Sequence, residues 1–190
     1  MRILFYILNM IQRIDIFCES LFLPDVKKIK MPMYVDDRGF FRETFRKDAY
    51  EACGIHGHFV QDNHSFSRKN VLRGMHFQRS PGQAKLVTIF HGTIFDVVVD
   101  IRKKSPTFMQ WEGVVLDAAQ GDQLFIPEGF AHGFCVLSEG AHVSYKVSTP
   151  YNPQEERGFR WDDPSINIRW PIKEPILSER DLANPLFTSL

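Results

Sequence analysis

The chain has 190 residues, 44% of them apolar, and its 23 Lys and Arg balance its 23 Asp and Glu. At that length one domain buries roughly two-thirds of the surface its unfolded chain exposes, so the core needs neither a structural metal nor a disulfide framework. The charge balance argues against a nucleic-acid partner, which calls for a Lys/Arg excess. Three scattered cysteines, Cys18, Cys53 and Cys135, suggest neither a disulfide framework nor a CxxC pair and point to a reducing cytoplasm.

The apolar run from Ile3 to Leu8 is too short to span a bilayer, which takes about 20 residues. No small-residue cleavage site follows it. Residues 1–19 therefore read as an N-terminal extension ahead of a single domain at 20–190, with no membrane partner. Residues 47 to 53, stopped by Gly54, form a short predicted helix. LVTIF, then His91-Gly92, then TIFDVVVDI reads as a hairpin. In its second strand Phe95, Val97, Val99 and Ile101 share one face, with Asp96 and Asp100 on the other, as in a sheet with one dry face. MQWEGVVL (109–116), QLFIP (123–127), GFCVL (133–137) and HVSYKVS (142–148) continue the series, with DAAQGD, EGFAH and SEGA as turns. Ser178 is placed to cap a second helix, with Glu179 and Asp181 in its first turn. The expected fold is all-β, a jelly-roll β-sandwich with short peripheral helices, its core filled from the 17 Phe.

The chemistry-bearing residues concentrate mid-chain. A jelly roll can hold a metal through His-x-His, a carboxylate and a later His. Here His76-Phe77-Gln78 offers one imidazole, and Lys85 stands where a carboxylate belongs, so no metal is expected. Acid/base work on an acidified carbon fits better: His76 accepts a proton, Tyr145 donates one, and Lys85 stabilises the intervening enolate oxygen. Arg73 and Arg38 are suited to phosphate, since a guanidinium holds two phosphate oxygens at once.

The blocks DDRGFFRETF (36–45), FVQDNHSFSRKNVLRGMHFQ (59–78), KLVTIFHGTIFDVVVDIRKKSPTF (85–108), QLFIPEGFAHGFCVLSE (123–139) and RGFRWDDPSINIRWP (157–171) closely resemble the dTDP-4-dehydrorhamnose 3,5-epimerases. The resemblance runs from about residue 20 to 186. It implies a cupin jelly roll without a metal, a homodimer sharing its N-terminal strands, and dTDP-4-dehydro-6-deoxy-D-glucose as substrate. It makes His76 the general base, Asp181 the carboxylate that orients it, Lys85 the neighbour of the C4 oxygen, and Tyr145 the acid on the opposite face of the sugar. It places Arg38, Phe41 and Glu43 in a nucleotide-contacting block, and Gln61, Asn63, Arg73 and Tyr151 near phosphate or base. It gives His132 a binding or polarising role.

The implied chemistry follows from the C4 ketone, which acidifies the C3 and C5 hydrogens. Removing either gives an enolate, and returning a proton from the other face inverts that carbon. The ketone is retained, so no redox cofactor is required. Three features depart from the usual pattern: Pro150 before Tyr151, Arg180 where a lysine is common, and a variable loop between His76 and Lys85. Two alternatives compete with the double epimerase. One is a C3-only epimerase on a related nucleotide 4-keto-6-deoxy sugar; the other is a jelly roll that only binds nucleotide sugar. His56, His58, His91 and His142 receive no role, His64 is either pocket-lining or supporting, and Asp162 and Asp163 read as turn or cap residues.

Overall fold

The computed structural model describes residues 16–187; the apolar run Ile3 to Leu8 lies outside them. Among the described residues thirteen strands and two short α-helices follow one another: β1 (Phe17–Ser20), β2 (Lys27–Lys30), β3 (Tyr34–Asp36), β4 (Gly39–Phe41), α1 (Lys47–Ala52), β5 (Gln61–Arg68), β6 (Leu72–Gln78), β7 (Lys85–His91), β8 (Thr93–Asp100), β9 (Trp111–Asp117), β10 (Asp122–Ile126), β11 (Phe130–Val136), β12 (Gly140–Val147), β13 (Glu156–Gly158) and α2 (Glu179–Leu182). Antiparallel pairing builds a six-stranded sheet, β1-β2-β10-β7-β12-β5, and a five-stranded sheet, β13-β6-β11-β8-β9, with β3 and β4 as a separate hairpin. This is the expected jelly roll. Both predicted helices form, and the Ser178 hydroxyl accepts the Asp181 N–H at 3.1 Å as its cap.

Between the sheets lies the main core, where Val87, Ile89, Val98, Leu124, Phe134 and Val143 meet. Alternate positions face outward and are covered as well. Ile29, Leu86 and Phe125 pack with Tyr50 of α1, while Met75, Val97 and Val99 pack with Phe159 and Ile166 from the C-terminal third. The single dry face expected for β8 is therefore corrected: Asp96 and Asp100 are both 0% exposed. Covering both faces of a sheet forces its polar residues to find partners inside. Asp100 accepts from the Arg102 guanidinium at 2.8 Å and from Ser105 and Thr107 hydroxyls at 2.6 Å each; Asp96 is taken up by the site.

The predicted 86–101 hairpin is also corrected. β7 belongs to the six-stranded sheet and β8 to the five-stranded one, so His91-Gly92 turns a corner between layers rather than reversing within one. A two-residue Gly turn looks the same in sequence for either geometry. Gly92 has φ +80°, and a Cβ there would lie 2.1 Å from the Gly140 carbonyl oxygen. Gly92→Ala is expected to cost about 3 kcal/mol through left-handed strain and backbone clash. That lowers the melting temperature by roughly 6–12 °C, as differential scanning calorimetry would read.

The cysteine reading fails for two of the three. Cys18 on β1 and Cys53 after α1 form a disulfide with Cα atoms 6.1 Å apart, while Cys135 is free and buried. Their separation of 35 residues hid the pairing: β2 carries β1 onto the sheet face that α1 covers, a juxtaposition cysteine counting cannot detect. Asp162 and Asp163 take turn roles, the first paired with Arg160 and the second accepting from Ser165 and the Phe187 N–H.

Candidate active site

The residue pattern of β5 first marks the cavity. Its Gln61, Asn63, Ser65 and Ser67 alternate with the exposed Asp62, His64, Phe66 and Arg68, so the strand turns polar side chains inward where β12 and β7 turn Val143, Val87 and Ile89. The interior there is a cavity of about 420 Å³ between the two sheets. Of the twelve site residues drawn from sequence, nine line it: Gln61, Asn63, Arg73, His76, Lys85, His132, Tyr145, Tyr151 and Asp181.

His76 on β6 and His132 on β11 are cross-strand partners in the five-stranded sheet. Each imidazole is held by its own carboxylate. Asp181 Oδ1 stands 2.5 Å from His76 Nε2, and its other oxygen accepts from the Ser178 hydroxyl at 2.8 Å. Burial alone raises the Asp181 carboxyl, but the His76 hydrogen bond and charge, with Ser178 and Arg180, outweigh it and leave it below the usual range. It thus stays anionic, fixing the His76 ring and leaving the other ring nitrogen available as a proton acceptor. Asp96 Oδ2 lies 2.9 Å from His132 Nε2; burial drives the Asp96 carboxyl upward against the pull of His132 and Lys85.

Lys85 on β7 and Tyr145 on β12 belong to the opposite, six-stranded sheet. Burial depresses the Lys85 ammonium to about 8, against the opposing charges of Glu156 and Asp96. Burial also raises the Tyr145 phenol, helped by Glu156 and opposed by Arg73, so it holds its proton at neutral pH. Toward the mouth, Arg73 donates to Ser67 at 2.9 Å. Gln61 donates to Asn63 at 2.8 Å and accepts the Tyr151 N–H at 3.0 Å.

The structure does not bring Arg38, Phe41 and Glu43 to this cavity. They belong to the β3–β4 hairpin and the strand end that follows it, where Phe41 is 70% exposed, Arg38 pairs with Asp36 and Glu43 with Arg46. Arg42 pins this segment to its own chain through the Ala118 and Ile89 carbonyls at 2.8 and 3.1 Å. His64 instead meets His142 on the exposed face, ring nitrogens 3.0 Å apart.

Sequence reasoning missed Ser65, Gln83, Phe134, Glu156, Ser178 and Arg180 as lining residues. Glu156 could have been found only from pairing: β13 sits beside β6, with Gly158 opposite His76, and this carries Glu156 to the wall. Arg180 joins it there at 2.7 Å.

An oriented imidazole on one sheet, with a protonated phenol and a buried ammonium on the other, defines a jelly-roll protein equipped for proton transfer at carbon. The chain belongs to the dTDP-4-dehydrorhamnose 3,5-epimerase family, whose model matches residues 20–189. It is 52% identical over 167 residues to the dTDP-4-dehydrorhamnose 3,5-epimerase of Shigella flexneri, covering 87% of this chain and 92% of the relative. Among solved structures it resembles the dTDP-6-deoxy-D-glucose-3,5-epimerase of Legionella pneumophila in complex with dTDP-4-keto-L-rhamnose. That match has TM-score 0.88 and 44% identity, covering 91% of this chain and 93% of the other. A 3'-monoepimerase from Streptomyces bikiniensis in complex with dTDP-quinovose is 33% identical at TM-score 0.83, covering 90% and 87%.

Proposed function

We infer that the chain converts dTDP-4-dehydro-6-deoxy-D-glucose to dTDP-4-dehydro-L-rhamnose by epimerising C3 and C5. The observation that carries this reading is the division of reactive groups between two sheets across one cavity: His76 with Asp181 on one side, Tyr145 on the other. In this mechanism His76 removes the C3 proton, the C4 oxygen takes the negative charge beside Lys85, and Tyr145 returns a proton from the opposite face. Once His76 has released its proton to water and Tyr145 has regained one, the same groups serve C5 after the ring shifts. Asp181 acts through His76, stabilising the imidazolium formed on proton abstraction. His132, held by Asp96, takes a binding or polarising role beside the sugar, while Gln61, Asn63, Arg73 and Tyr151 receive the nucleotide portion.

The deciding experiment incubates the protein with dTDP-4-dehydro-6-deoxy-D-glucose in D2O and locates deuterium by NMR. Label at both C3 and C5 is expected. Label at C3 alone would replace this reading with the C3-only epimerase, with the wall at Pro150 and Tyr151 as the first place to look. No label at either carbon would leave a protein that only binds, or one with another substrate.

Lys85 adds a pH signature. Its charge is needed to stabilise the enolate, so kcat/KM is expected to fall as pH rises through about 8. Stability moves the other way: between about 8 and the ordinary 10.5 the unfolded chain binds the extra proton, so unfolding becomes harder as pH rises. Pre-steady-state rates and urea melts across that window separate the two.

The exposed placement of Arg38 and Phe41, with the half-buried Glu43 just beyond them, fits a homodimer in which one copy's β3–β4 segment reaches the other's cavity. Sedimentation at twice the chain mass is expected, and a monomer would overturn it. A cytoplasmic location fits a nucleotide-sugar substrate; in that reducing setting Cys18 and Cys53 are held as thiols, and the disulfide seen here is their oxidised form.

A further inference from the structure

The five-stranded sheet has a second cavity on its other face. Strand alternation sends His76 inward and its neighbour Phe77 outward. Phe77, Ile101, Phe108, Met109 and Phe187 form the apolar part of a depression of about 1070 Å³. The charged groups around it are unbalanced: Arg79, Arg102, Lys103 and Arg157 line it against the single carboxylate of Glu128. Two of these cations are already matched, Arg79 by Glu155 and Arg102 by Asp100 and Asp25. Arg157 donates only to the backbone carbonyls of Gln154 and Glu156. Neither Arg157 nor Lys103 has a carboxylate partner among the described residues.

We propose that this cavity is a second ligand site, for a small organic anion with a flat apolar body, distinct from the sugar-nucleotide pocket. The apolar wall covers the body of such a molecule, and Lys103 and Arg157 meet its anionic group. A hydrophobic lining with a few convergent polar groups is the usual make-up of a small-molecule site. The rim's unmatched positive charge selects the sign of the ligand. The two sites are back to back: on β13, Glu156 lines the catalytic cavity and the adjacent Arg157 lines this one.

The test uses 8-anilinonaphthalene-1-sulfonate, a fused aromatic body bearing one sulfonate, titrated by fluorescence into the full chain with saturating dTDP present. Saturable binding of one probe per chain is expected, unaffected by dTDP. In Lys103→Glu/Arg157→Glu it should weaken by about tenfold or more, while dTDP affinity and circular dichroism stay unchanged. The milder Lys103→Met/Arg157→Met pair removes charge without reversing it and should show the same direction if the reversed variant folds poorly. Competition by dTDP, absence of saturable binding, or indifference to both charge variants would each overturn the proposal. None of these readings depends on epimerase turnover, so failure here leaves the functional assignment standing, and failure of that assignment leaves this site to be judged alone.

Discussion

His76→Asn is expected to lower deuterium incorporation at both C3 and C5 by about 10²- to 10⁴-fold, the usual contribution of a positioned general base. Asparagine keeps a planar polar group toward Asp181 but has no nitrogen that can accept a proton from carbon. The Arg73–Ser67 and Gln61–Asn63 contacts at the mouth do not involve the ring, so dTDP affinity by calorimetry should change little. Persistent exchange in this variant would remove His76 from the base role, and exchange lost together with dTDP binding would point to a collapsed cavity instead. The same loss at both carbons is the informative part, because a two-base enzyme would keep one of them.

Tyr145→Phe should separate two events that ordinary turnover joins. The phenyl ring keeps its packing against the interlayer core, and only the hydroxyl is lost. His76 can still remove a proton, exchange it with solvent and return deuterium from its own side, so recovered substrate should become labelled. In the proposed mechanism inversion draws its proton from the six-stranded sheet, so it should fall by about 10²- to 10³-fold. NMR of the recovered sugars reads both rates in one sample, and equal loss of labelling and inversion would move Tyr145 to binding or to the first step.

How far the sequence could be read depended on what each residue needed from distant parts of the chain. His76, Lys85 and Tyr145 were legible because their chemistry is unusual on strands and the blocks around them resemble a known family. Asp181, 105 residues from His76, was placed by that resemblance alone; no local pattern links them. The alternation in β8 correctly separated Phe95, Val97 and Val99 from Asp96 and Asp100, yet it misjudged what lay on the aspartate side. Period two reports which residues share a face, not whether a second layer covers that face. His91-Gly92 failed for a related reason, since local turn chemistry does not say which sheet the next strand joins. Glu156 escaped notice because its position comes from β13 pairing with β6, and Arg180, marked in sequence only as a change from the common lysine, reaches the cavity wall through its place on α2.

The two-layer construction has a mechanical corollary. Because His76 rides on one sheet and Tyr145 on the other, their separation is governed by the hydrocarbon packed between the layers, among it Val98, Leu124 and Val143. That packing works as a thickness gauge. Trimming one of these side chains, far from any sugar contact, would let the layers settle together or slide, altering how well the incoming proton meets the planar carbon while leaving its removal almost untouched. Under the mechanism proposed above, stereochemical fidelity is thus partly a property of the apolar interior.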